Sequence, residues 1–163
     1  MKTKKLTVMA LTTAVAMILS FVESQIPAFV AVPGVKIGLA NIAVVFALYR
    51  LGWKEAAAIS LVRVVLVSLL FGSIASLFYS LAGAALSLGG MGLLKKTGRF
   101  TEIIVSVTGG ILHNIGQIGM ACLILETDAL RYYLPFLLVS GIVAGIVVGL
   151  VSAVLVQRVR PLE

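Results

Sequence analysis

The chain has 163 residues, 61% hydrophobic and only 12% charged, with a mean hydropathy of +1.17. An ordinary soluble domain is about 45–50% apolar, and so few charges do not coat a water-soluble globule, so the lipid bilayer is the expected surrounding. A net charge of +7 taken alone suggests nucleic acid, but the placement of the charges reads as membrane topology and no nucleic-acid partner is expected.

Lys2, Lys4 and Lys5 precede an apolar run over 6–22 that reads as the first helix. A basic start before an apolar run resembles a signal peptide. The hydrophobic pattern continues beyond it and no clean cleavage site follows, so the segment is expected to stay as a span. Residues 23–37, ESQIPAFVAVPGVKI, hold Pro27, Pro33 and Gly34 and read as an outer loop. Ile26, Phe29, Val30, Val32 and Val35 make this loop too apolar for a plain connection, and it is expected to fold back as a lid. A short second helix over 38–51 ends at Gly52-Trp53, an interfacial aromatic beside a turn glycine. The third helix covers 54–70 and contains Arg63, and Phe71-Gly72-Ser73 turns the chain. The fourth covers 74–94, followed by Lys95, Lys96 and Arg99. The fifth covers 102–125, and the sixth, after a polar loop, covers 132–156, followed by Gln157, Arg158 and Arg160.

A spanning helix needs about 20 apolar residues, so six spans with short connections use nearly the whole chain. The prediction is an all-α membrane protein, a single transmembrane domain over 1–163 built as a six-transmembrane-helix bundle. On this reading Lys2, Lys4, Lys5, Arg50, Lys54, Lys95, Lys96, Arg99, Arg158 and Arg160 fall on one side. Lys36 and Arg131 fall on the other, and Arg63 lies inside a helix. The asymmetry follows the positive-inside rule with both termini cytoplasmic, in a multi-pass protein of the cell membrane.

Catalytic patterns are sparse. There is no GxxxxGK[ST] loop. One histidine and one cysteine do not build a zinc site alone. Cys122 has no disulfide partner and reads as a small packing residue. Autonomous catalysis is not expected, and neither a cofactor nor a metal is. What remains are polar groups at membrane depth, which are unfavourable in lipid and usually face a bundle interior or a cavity. Arg63 reads either as a structural cation bonded to carbonyls or to one acid, or as a contact for an anionic ligand group. His113, Asn114 and Gln117, spaced three and four apart, share a helix face. They read as interhelical hydrogen bonding or as the polar wall of a binding cavity. Tyr79, Ser76 and Ser80 stand near the outer end of the fourth helix, and Glu23, Lys36 and Asn41 stand on or beside the outer loop. The candidate ligand-binding set is thus Glu23, Lys36, Asn41, Arg63, Tyr79, His113, Asn114 and Gln117. Gly141, Gly145 and Gly149 on the sixth helix, and Ala10 and Ala14 on the first, form small-xxx-small series that let helices approach closely. Packing within the bundle and docking to another membrane subunit are both open for them.

ESQIP, PGVKIGLAN, RVVLVSLLFGS, FYSLAGAALSL and HNIGQ, in this order, resemble the Gx transporter family, also labelled heptaprenyl diphosphate synthase component I. The resemblance covers about residues 8–155. That family looks related to the substrate-binding S components of energy-coupling factor (ECF) transporters. The resemblance implies six helices, cytoplasmic termini, and a ligand near the outer face beneath the loop joining the first two helices. It also implies an AxxxA motif, matched by Ala10 and Ala14, facing a transmembrane coupling subunit. The expected partners are an ECF energising module of coupling subunit and ATPases, and a small-molecule ligand. The synthase label fits the residues poorly. Prenyl diphosphate synthases carry aspartate-rich magnesium motifs, whereas Asp128 is the single aspartate here. The leading expectation is a substrate-capture subunit for uptake. The alternatives are a membrane accessory subunit of heptaprenyl diphosphate or quinone biosynthesis, and a non-transport component of a membrane redox assembly.

Overall fold

A computed structural model describes residues 2–25 and 38–159. Its described residues form α1 (Lys2–Gln25), α2 (Asn41–Arg50), α3 (Trp53–Phe71), α4 (Ile74–Thr97), α5 (Glu102–Leu125) and α6 (Leu134–Arg158). A short 3-10 helix, Ala129–Tyr133, precedes α6, and no strand occurs among the described residues. Four segments are long and apolar enough to cross a membrane: Thr3–Gln25, Ile74–Thr97, Glu102–Leu125 and Ala129–Arg158. The 19 residues of α3 reach about 28 Å at 1.5 Å per residue, but Lys54, Glu55 and Arg63 interrupt its apolar run. With 10 residues, α2 covers only about 15 Å, half of a hydrocarbon core of about 30 Å. Short helices are tolerated at membrane depth where protein rather than lipid surrounds them, and α2 has that setting. Its Val44, Val45 and Leu48 are buried against Ala56 and Ile59 of α3, Leu88 and Met91 of α4, Val105 of α5 and Val148 of α6.

Outside this core the usual distribution is inverted. Leu6, Leu11 and Ile18 of α1, Leu69 and Leu70 of α3, and Phe136, Val139 and Val143 of α6 are exposed. Exposed apolar surface of this extent marks contact with lipid or a partner. The inner face of α1 is instead small and polar, with Thr12, Ala16 and Ser20 buried at four-residue spacing.

Glycine sets the packing of α4, α5 and α6. A Cβ on Gly110 would sit 2.5 Å from the Gly141 carbonyl oxygen, and one on Gly145 would sit 2.6 Å from Val107 Cα. A Cβ on Gly149 would lie 2.7 Å from Ile103 Cα, and on the other side of α5 a Cβ on Gly116 would lie 2.7 Å from the Ala82 oxygen. The glycine series of α6 is therefore spent inside the bundle, on α5. With little hydrophobic drive between helices in lipid, such backbone proximity supplies the dispersion contacts that hold them.

Two clusters of contacts mark the ends of the bundle. At one end Lys5 pairs with Glu55, and Arg50 donates to the Val156 carbonyl in the last turn of α6. Lys95 donates to the Leu48 carbonyl in the last turn of α2, and its ammonium lies 5.3 Å from the centre of the Tyr49 ring. These cations satisfy carbonyls that a helix end leaves open and sit at the negative end of its dipole. The start of α1 and the end of α6 are thus at the same end. At the opposite end the Phe21 and Phe71 rings meet at 5.2 Å, and the Gly38 N–H donates to the Glu23 carboxylate. Gly38 adopts φ +76 there, a conformation that disfavours a side chain. Ser73 opens α4 with a reciprocal capping bond to Ser76. Gly98, at φ +66, closes α4.

Candidate functional site

A cavity of about 360 Å³ lies between α1, α2 and α3 on one side and α4, α5 and α6 on the other. Its near end is formed by Glu23 and Ser24 of α1, Gly38, Phe71, Gly72 and Ser76, which belong to the end opposite the Lys5–Glu55 pair. From there it runs inward past Asn41, Arg63, His113, Asn114 and Gln117 to Ser87, Met91, Ser106 and Val148.

Helix periodicity explains the convergence. On α5, Ser106, Gly110, His113 and Gln117 recur at four- and three-residue steps, so one stripe of that helix faces the cavity. On α4 the corresponding stripe is Ser76, Ser80 and Ser87. Gly109, Gly110, Gly141 and Gly145 line the same space without side chains, which widens it where α5 and α6 touch.

Arg63 is the cation of this wall. Its Nη2 reaches Asn41 Oδ1 at 3.5 Å, a long hydrogen bond, and its Nε is buried without a partner among the described residues. Glu23 lines the same cavity and is within electrostatic reach of Arg63. No ion pair joins the two; a Glu23 oxygen instead accepts the Gly38 N–H. Asn114 donates to the Leu137 carbonyl and so ties α5 to α6 while bordering the cavity. The His113 ring packs on α4, where a Cβ added to Gly83 would lie 3.1 Å from its Cε1. Gln117 borders Gly83 as well, through its Cγ.

Of the residues singled out from the sequence, the cavity brings together Glu23, Asn41, Arg63, His113, Asn114 and Gln117. Tyr79 is not among its lining residues. It sits about 60° round the helix from Ser76 at 3.6 residues per turn, at the edge of the serine stripe that faces inward. Lys36, and the lid expected over 23–37 beyond Gln25, lie outside the described residues. Ala10 and Ala14 are both exposed on the outer face of α1, beside Leu6, Leu11 and Ile18, so neither serves packing within the bundle. Sequence reasoning missed Ser20, Ser24, Ser68, Ser87 and Ser106 in the wall. The available signal was spacing: Ser87 follows Ser80 by two turns, and Ser106 precedes His113 by two turns. Among the described residues, no three His, Cys, Asp or Glu side chains come together as metal ligands would. The arrangement holds hydrogen-bonding groups and one cation around a space, and it is suited to binding.

Long apolar helices with apolar exteriors around an internal cavity lined by polar and apolar residues fit a multi-pass helical membrane protein. A sequence model of the family described as heptaprenyl diphosphate synthase component I matches residues 12–155, and the chain belongs to that family. No curated protein and no solved structure gives a match.

Proposed function

We propose that this protein is the substrate-capture subunit of an ECF-type transporter, binding a small molecule from the outer face of the cell membrane, and that it is not an enzyme. The observation that carries the reading is the cavity itself. About 360 Å³ falls within the range of small-molecule sites, roughly 300–1,000 Å³, and its wall brings Arg63 together with Asn41, Asn114 and Gln117. The cavity runs along the bundle and reaches the end away from Lys5, Arg50 and Lys95, at Glu23, Gly38 and Gly72. With those cations cytoplasmic, that end is the outer one. Six spans with both termini cytoplasmic accord with this orientation, with α2 sheltered by its neighbours. Ala10 and Ala14, exposed on an outer face otherwise rich in large apolar side chains, support docking of a coupling subunit against α1. No ATP-binding loop occurs in the chain, so uptake requires ATPases from a partner module.

Two measurements test this. Mass spectrometry of small molecules released from the purified protein should find one compound class retained in near-stoichiometric amount. Replacing Ala10 and Ala14 together with leucine should abolish co-purification of the coupling subunit and ATPases while leaving thermal unfolding of the isolated protein unchanged. Empty protein, or a complex that survives the double substitution, would sink the respective half of the proposal. The family description favours a second reading, a membrane accessory subunit of heptaprenyl diphosphate synthesis. Co-purification of a prenyl synthase in place of the ATPases would select it.

A further inference from the structure

The charge available in the cavity restricts its ligand. Among the described lining residues Arg63 is the single lysine or arginine, and Glu23 the single aspartate or glutamate. A guanidinium presents a planar fork that matches a carboxylate or phosphate in two parallel bonds. Arg63 lines the cavity, and its Nη2 bond to Asn41 is long enough for a better acceptor to take its place. The first turn of α2, with Asn41 in the wall, adds the positive end of a helix dipole. Glu23 offsets part of this positive potential. Deeper in, Ser87 and Ser106 line the cavity, and both residues are buried. A hydroxyl withdrawn from bulk water calls for a partner, and uncharged polar atoms of a ligand supply one.

Resting on the reading of this protein as a capture subunit, we infer that the cavity takes a small organic molecule with one singly charged anionic group, of carboxylate type. That group sits on Arg63, and an uncharged hydrogen-bonding body reaches Ser87 and Ser106. A phosphate group carries about −1.5 to −2 charge at neutral pH, and a diphosphate more. Glu23 keeps its own partner in the Gly38 N–H, so the one guanidinium matches one carboxylate charge for charge. A second unit of negative charge finds no further lysine or arginine among the described lining residues, and unpaired charge away from water is strongly unfavourable. The described lysine and arginine complement of the lining therefore favours a monoanion over diphosphates, the prenyl diphosphates suggested by the family description among them.

The test uses the full chain in nanodiscs of phosphatidylcholine, stripped of retained ligand by extended dialysis, with thermal unfolding as the readout. Sodium acetate is the monoanionic probe, acetamide its neutral counterpart, and sodium pyrophosphate the multiply charged one, at constant ionic strength. Acetate should raise the midpoint saturably, and acetamide and pyrophosphate should not. Arg63→Lys should retain the acetate response, whereas Arg63→Met should shift half-saturation by at least about tenfold, the scale of a lost charge-assisted bond. Glu23→Gln should admit pyrophosphate. No saturable acetate effect, an equal effect in Arg63→Met, or stronger stabilisation of the wild type by pyrophosphate would each overturn the inference. Failure here is separable from failure of the capture reading. A retained neutral or cationic compound refutes the monoanion and leaves capture standing, while protein that retains nothing refutes capture.

Discussion

Asn114 and Gln117 stand one helical turn apart on α5 and border the same cavity, yet their bonding differs. Asn114 donates to the Leu137 carbonyl across to α6. That carbonyl also accepts from Ser140 Oγ at 2.9 Å, so removing Asn114 does not orphan it. An interhelical hydrogen bond in a membrane protein contributes about 0.6 kcal/mol on average and up to about 1.7. Asn114→Ala should therefore destabilise toward the lower figure, measured by thermal unfolding. Gln117 makes no hydrogen bond among the described residues, and Gln117→Leu should leave stability within about 0.5 kcal/mol of the wild type while reducing retention of the native ligand. If Gln117→Leu unfolds the protein and keeps the ligand, Gln117 is a packing residue and its place in the site is withdrawn.

The helices are held together by what their glycines permit, and α5 shows this at two positions one turn apart. A Cβ on Gly116 would meet backbone of α4, at 2.7 Å from the Ala82 oxygen and 2.8 Å from Gly83 Cα. Backbone cannot rotate away, so Gly116→Ala should destabilise by about 1–3 kcal/mol, the usual range for overpacking. A Cβ on Gly119 would meet nothing within 4 Å. There Gly119→Ala should be neutral or stabilising by up to about 1 kcal/mol, because alanine is the better helix former. Comparing denaturation midpoints of the two variants checks the packing of α4 on α5, and equal effects would contradict it. The glycine series on α6 and the alanine pair on α1 have the same local pattern and opposite fates. The glycines are pressed onto α5, and the alanines face outward.

The bundle as a whole carries Lys5, Arg50, Lys95 and the end of α6 at one pole and the near end of the cavity at the other. If the cationic pole is cytoplasmic, reporter fusions after Lys96 and after Arg158 should both report cytoplasm, and one after Asp128 should report the outside. A fusion after Lys96 on the outside would invert the proposed capture direction. The Lys5–Glu55 pair at the cationic pole is partly exposed. Exposed pairs contribute only about 0–1 kcal/mol, so its removal should not disturb this topology.

Membrane residence, the helical class and the position of α5 at 102–125 were all legible in the residues, because a bilayer imposes length and apolarity on each spanning segment separately. Family membership was legible too, in motifs spread along the chain. The sequence also identified Arg63, His113, Asn114 and Gln117 as groups needing an explanation at depth, since unsatisfied polarity is unfavourable in lipid wherever it sits. Which groups share a space depended on how each helix is rotated about its axis, a property of pairs of helices rather than of any one. Close contact between Gly83 and Gly116 turns the Ser76–Ser80–Ser87 stripe of α4 inward and leaves Tyr79 at its edge. Likewise, only tertiary packing showed that α2, already short in the sequence reading, is buried within the bundle. Its 10 residues are too few to cross alone, and the core formed around Val44, Val45 and Leu48 is what lets so short a segment lie within the bundle.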